Sequence, residues 1–79
     1  GYGVFPNPAK NTITVSSVLN SLNAPFSAVI YDLTGKAVTH ASLDGLHKSI
    51  DLSGIPDGVY FIKIIEPQKS TTLKFIKAD

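Results

Sequence analysis

Gly58-Val59-Tyr60-Phe61-Ile62-Lys63-Ile64-Ile65-Glu66 is the stretch that decides the fold. It is dense in β-branched and aromatic residues, which suit a pleated, half-buried surface, and it reads as a strand. Pro67-Gln68-Lys69 ends it, because proline cannot donate to a continuing ladder. Ser70-Thr71-Thr72-Leu73-Lys74-Phe75-Ile76-Lys77 then pairs back, with Leu73 and Phe75 on one side and Lys74 on the other. On the upstream side, Ser53-Gly54-Ile55-Pro56-Asp57-Gly58 is crowded with turn residues, so the chain reverses there.

Moving outward, Lys48-Ser49-Ile50-Asp51-Leu52 reads as a short strand with Ile50 and Leu52 inward, and Leu43-Asp44-Gly45-Leu46 as a turn. Residues 27–41 form one hairpin around Thr34-Gly35-Lys36, where Gly35 supplies the positive φ of a tight turn. Its first arm, Ser27 to Leu33, is apolar on both faces, which predicts a central strand covered on both sides near its middle. Thr12-Ile13-Thr14-Val15-Ser16 alternates, with Ile13 and Val15 on one face. Ser16 to Asn23 carries Val18, Leu19 and Leu22 at loosely helical spacing but is bracketed by serine and asparagine, and reads as a loop or irregular strand. Six or seven short strands, with turns roughly every 8–12 residues, predict an all-β chain folded as a β-sandwich. No repeat, linker or low-complexity tract divides residues 1–79, so the expectation is a single domain.

Composition narrows the function. The 79 residues are 43% hydrophobic and 16% charged, which argues against disorder. There is no cysteine, which excludes a disulfide scaffold and a thiolate zinc site while leaving an extracellular setting open. No apolar run is long enough for a membrane-spanning helix, so no membrane insertion is expected, and nothing at the N-terminus reads as a secretory signal. All seven basic residues are lysine. Bidentate base and phosphate recognition leans on arginine, so a nucleic-acid partner is not expected.

The candidate chemistry is thin. His40 and His47, with Asp44 between them, fall short of the three or four converging ligands of a metal site and read as surface residues. Asp51, Asp57 and the carbonyls of Ser53 to Gly58 could offer oxygens to calcium, yet no Asp-x-Asp-x-Asp loop is present. Serines and threonines are abundant, but none stands in a strained elbow, and Asp32, Asp44, Asp51 and Asp57 read as turn or strand-edge residues. No catalytic residue, cofactor or metal is assigned, and the chain is read as a non-enzyme. An alternative is a carbohydrate-binding or adhesive accessory sandwich, but tryptophan is absent. Tyr31, Tyr60, Phe26, Phe61 and Phe75 sit in strand patterns that favour burial. Tyr2 and Phe5 are better placed to be exposed, but the preferred reading is that they form a hydrophobic cap over one end of the sandwich.

Four features stand in order along the chain. Val4-Phe5-Pro6-Asn7-Pro8-Ala9 precedes the strand Ile13-Thr14-Val15, and Ile30-Tyr31-Asp32-Leu33-Thr34-Gly35-Lys36-Ala37-Val38 follows. Ile50-Asp51-Leu52-Ser53 leads into Gly58-Val59-Tyr60-Phe61-Ile62-Lys63-Ile64, and the chain closes on Thr72-Leu73-Lys74-Phe75-Ile76-Lys77. From Val4 to Lys77 this order resembles the type A C-terminal sorting domain of type IX secretion cargo in Bacteroidota. Phe5 stands where that family more often has tyrosine, and Ala78-Asp79 runs past its usual basic end.

The resemblance implies an immunoglobulin-like sandwich of about seven mostly antiparallel strands. It also implies an address on a secreted protein. An outer-membrane translocon would read it, and a sortase-like protease would cut upstream for surface attachment or release, after transit through the periplasm. The sorting-motif candidates are Pro6, Asn7, Pro8, Gly35, Lys36, Gly58, Tyr60, Lys74 and Lys77. Physically, Pro6 and Pro8 would stiffen an extended lead-in with Asn7 free to cap a turn, and Tyr60 would pack its ring and bond its hydroxyl. Lys74 and Lys77 would extend from an edge strand, whose unpaired backbone groups invite strand addition by a partner or edge-to-edge self-association.

Overall fold

The computed structural model describes residues 2–17, 26–43 and 47–79, and these form two antiparallel sheets. The first has three strands, β1 (Tyr2–Phe5), β2 (Thr12–Ser17) and β5 (His47–Asp51), in the order β1-β2-β5. The second has four, β3 (Phe26–Tyr31), β4 (Ala37–Leu43), β6 (Gly58–Ile65) and β7 (Ser70–Lys77), in the order β4-β3-β6-β7. This arrangement is an immunoglobulin-like sandwich, as the turn spacing and the resemblance implied. The reading of 18–23 as a loop or irregular strand, and of 44–46 as part of a turn, lies outside the described residues.

Alternation builds the core. Ile13 and Val15 of β2 and Ile50 of β5 face Phe26, Ala28 and Ile30 of β3, Tyr60, Ile62 and Ile64 of β6, and Phe75 of β7, all of them buried. Register places Ile13 opposite Ile50, Ile30 opposite Ile62 and Tyr60 opposite Phe75, so each inward side chain meets another. Leu52 and Ala9, just outside strands, are fully buried beside them. At roughly 1.5–3 kcal/mol for each large apolar side chain removed from water, this set dominates the favourable side of folding.

Four expectations need correction. First, β3 stops at Tyr31, and Leu33 is 67% exposed in the turn. Asp32 ends the strand. Its Oδ1 accepts bonds from the Thr34 amide (2.9 Å), the Thr34 hydroxyl (2.6 Å) and the Lys36 amide (3.1 Å), which closes the loop. Gly35 takes φ 86° there, and its amide donates to the Asp32 carbonyl at 3.0 Å.

Second, β3 is central in its sheet, but among the described residues no element covers its outer side. Third, Phe5 is 49% exposed, because it pairs with Thr14 on the outer face of the three-stranded sheet. Val4, one residue earlier and therefore on the opposite face, packs on the core instead. Fourth, the lead-in is not extended: the chain bends through Pro6, Asn7 and Pro8 on its way from one sheet to the edge of the other.

Candidate functional site

The sorting-motif candidates come largely to one end of the sandwich. Gly58, at the start of β6, lies opposite Lys77, at the end of β7, while Tyr31, just before the Gly35 turn, lies opposite Phe61. The bend at Pro6–Pro8 arrives at that same end and joins the final strand. The Ala9 amide donates to the Ile76 carbonyl (2.7 Å), the Ala78 amide to the Ala9 carbonyl (2.8 Å), and the Ile76 amide to Asn7 Oδ1 (3.0 Å). Asn7 therefore caps a strand 69 residues away rather than a local turn.

Tyr60 anchors this end from inside. Its ring stacks on Phe75 with centroids 5.8 Å apart, and its hydroxyl donates to the Pro56 carbonyl. A tyrosine near the start of the sixth strand that bonds back to the preceding corner is a hallmark of immunoglobulin-like sandwiches. Gly58 lies under that ring, and a Cβ added to it would meet Tyr60 Cε2 at 3.8 Å. Gly35 and Lys36 occupy the exposed β3–β4 turn, where the Lys36 backbone serves the Asp32 cap.

The two lysines of β7 differ. Lys74 is exposed on the outer face, as expected. Lys77 does not extend into solvent. It is 7% exposed, because β7 alternation sends it inward with Phe75, and its ammonium reaches Asp57 Oδ1 at 3.2 Å. Asp57 Oδ2 also accepts the Asp79 amide at 3.2 Å. These two interactions, the Asp79 amide first, hold the Asp57 carboxyl below its ordinary pKa. Sequence reasoning saw Asp57-Gly58 as a turn, with Asp57 otherwise weighed as a calcium ligand. Its partnership with Lys77 spans 20 residues and left no local signal.

The metal readings gain nothing. Asp51 Oδ1 accepts the Ser53 amide at 2.9 Å, and this bond lowers its pKa, while Asp57 is taken by Lys77 and the chain end. Among the described residues, no group of three or more His, Asp or Glu side chains could hold an ion.

A strand edge with few backbone partners among the described residues completes the geometry. Ile76 turns both its N–H and its C=O away from β6, towards Asn7 and Ala9. In an antiparallel strand these directions alternate, so Thr72 and Lys74 present theirs outward as well. The lead-in covers the edge at Ile76 and stops, and no described backbone group bonds Thr72 or Lys74 on that side. Among the described residues, the outer edge of β7 is thus half bonded and half without a backbone partner.

A small all-β domain of two antiparallel sheets, with β7 at the edge of the larger one, is the class this geometry defines. The chain belongs to the secretion-system C-terminal sorting domains: that family's model matches residues 3–78. Such domains are the sorting signals of type IX secretion, so the domain is recognised by that system and its cargo is secreted across the outer membrane. No curated protein sequence matches the chain. Among solved structures, it is similar to PorZ, an essential surface component of the type IX secretion system of Porphyromonas gingivalis. The likeness covers 100% of this chain at TM-score 0.76 and 23% identity, and it is a likeness of fold. The chain spans 12% of that protein's length.

Proposed function

We propose that this chain acts as one C-terminal address domain, crossing the periplasm with its cargo and read by an outer-membrane translocon. A sortase-like protease then removes it upstream of β1, for attachment or release of the cargo at the cell surface. The domain contributes no catalytic step of its own. The observation that carries this reading is the open half of the β7 edge, where Thr72 and Lys74 offer N–H and C=O groups for strand addition. Pro6, Asn7, Pro8, Gly58, Tyr60 and Lys77 hold that edge in register, Gly35 and Lys36 shape the neighbouring turn, and Lys74 lies on the edge itself.

The test is a reporter fused to this chain in a bacterium that has the secretion system. Deleting Leu73 to Asp79 retains the reporter in the periplasm. Because that deletion also removes Phe75 from the core, Lys74→Pro is the sharper variant. It deletes one outward amide at an edge position where proline is tolerated. A folded Lys74→Pro domain that still delivers the reporter to the surface overturns the edge reading.

A further inference from the structure

The outer face of the four-stranded sheet does not look like a face built for water. An antiparallel sheet packed on one side normally alternates apolar inward with polar outward. Here β3 places Val29 and Tyr31 outward, and β6 places Val59, Phe61 and Ile65 outward. Ile76 of β7, beside Val59, is 42% exposed, and Ile65 is 36% exposed. Tyr31 and Phe61, opposite each other in the register, are only half-buried, whereas Tyr60, Phe26 and Phe75 are buried as their strand patterns suggested. Nothing among the described residues packs over this patch.

Its charge has one sign. The ionisable groups on the face are Lys63 beside Val29, Lys74 beside Phe61, and His40 on β4 across from Val29, together with the Tyr31 hydroxyl. The nearby carboxylates lie at strand ends: Asp32 is held in the β3–β4 turn and Asp57 by Lys77, while Glu66 is half-buried, its Oε1 4.0 Å from the Lys69 ammonium and without a hydrogen-bond partner. An apolar, aromatic centre flanked by unpaired lysines complements a surface of the opposite kind.

We infer that the outer face of the β4-β3-β6-β7 sheet is a docking surface for an acidic protein partner, which sets carboxylates against Lys63 and Lys74 around an apolar contact on Tyr31 and Phe61. This inference rests on the sorting-signal reading and adds a second surface to the β7 edge. Two arguments select this occupant over a second copy of the chain. Copies meeting through this face would oppose lysine to lysine, which is unfavourable. The patch is also small. Four strands about 4.8 Å apart and four to five residues of each cover roughly 15 Å by 15 Å. That is far below the about 800 Å² per partner of a stable dimer and suits a transient encounter steered by charge.

The test again uses the reporter fusion. Lys63 lies on a central strand away from the β7 edge, so Lys63→Glu and Phe61→Thr alter the face without touching the edge backbone. Lys48→Glu, at an exposed residue of the other sheet, makes an equal charge change as a control. Surface delivery of the Lys63→Glu/Phe61→Thr fusion is expected to fall roughly tenfold or more, while the control matches the parent. Circular dichroism melts show that all the variants are folded.

Normal delivery by a folded face variant overturns the inference and leaves the sorting reading intact. A parental fusion held inside the cell overturns both. Sedimentation that shows a parental dimer abolished by Lys63→Glu, or glycan binding by the parent lost in Phe61→Thr, assigns the face to a different occupant and also overturns it.

Discussion

The two faces of the four-stranded sheet are made by the same strands with the same alternation, yet they have opposite duties. On β6, Tyr60, Ile62 and Ile64 face the three-stranded sheet and are buried, whereas Phe61, Lys63 and Ile65 face outward. The outer face keeps an apolar centre on β3 and β6, but Ser27, His40, Ser42, Ser70, Thr72 and Lys74 surround it. The difference lies in what sits opposite. The inner face meets Ile13, Val15 and Ile50 of the partner sheet, while the outer face meets nothing among the described residues and carries lysines. A sheet that is packed on one side and keeps an apolar centre on the other is stable through its inner face and free to bind through that centre.

Substitutions can break or sharpen that contrast. The largest effect is expected for Phe75→Ala, which empties a fully buried site stacked on Tyr60 and should cost about 3–5 kcal/mol in urea unfolding. A loss under about 1 kcal/mol would mean that the inner face is not the stabilising one. Tyr60→Phe keeps the ring and removes only the hydroxyl bond to Pro56, so a drop of about 1 kcal/mol is expected from the same measurement.

Next comes Asp57→Asn, whose effect is read as a function of pH. The folded-state pKa of Asp57 is lowered, so its contribution is present above the unfolded value and is lost as pH falls through the folded one. The variant therefore melts lower than the parent at neutral pH, and the gap closes in acid, below the ordinary carboxylate value of 3.8. A gap that persists in strong acid would show that the carboxylate is not the stabilising species. The smallest stability change belongs to Lys74→Glu on the exposed outer face, within about 0.5 kcal/mol, with delivery of a fused reporter reduced all the same.

Most of the strands were legible in the sequence, because periodicity is local. The alternation of Thr12 to Ser16, the apolar run at Gly58 to Ile65 and the polar-apolar rhythm of Ser70 to Lys77 each mark a strand without reference to anything else. The candidate site was legible only in pieces. Asn7, Tyr60 and Lys77 stood out, but that Asn7 caps Ile76, and that Lys77 turns inward to Asp57, depends on pairings 69 and 20 residues long. Val4 rather than Phe5 packs on the core for a similar reason: which of two neighbours faces inward is set by the register with β2, not by their own hydrophobicity.

By itself, then, the chain's pattern of side chains determined an all-β sandwich, its turns after β3, β5 and β6, and the order of motifs that marks a sorting domain. These follow from preferences acting over a few residues, where composition and spacing carry the information. Tertiary structure alone decided that the lead-in seals half of the last strand, and that among the described residues Thr72 and Lys74 have no backbone partner on that side and one face of the larger sheet is covered while the other is not. Those outcomes depend on which distant segments meet, and backbone hydrogen bonds and burial are satisfied only once the two sheets have come together.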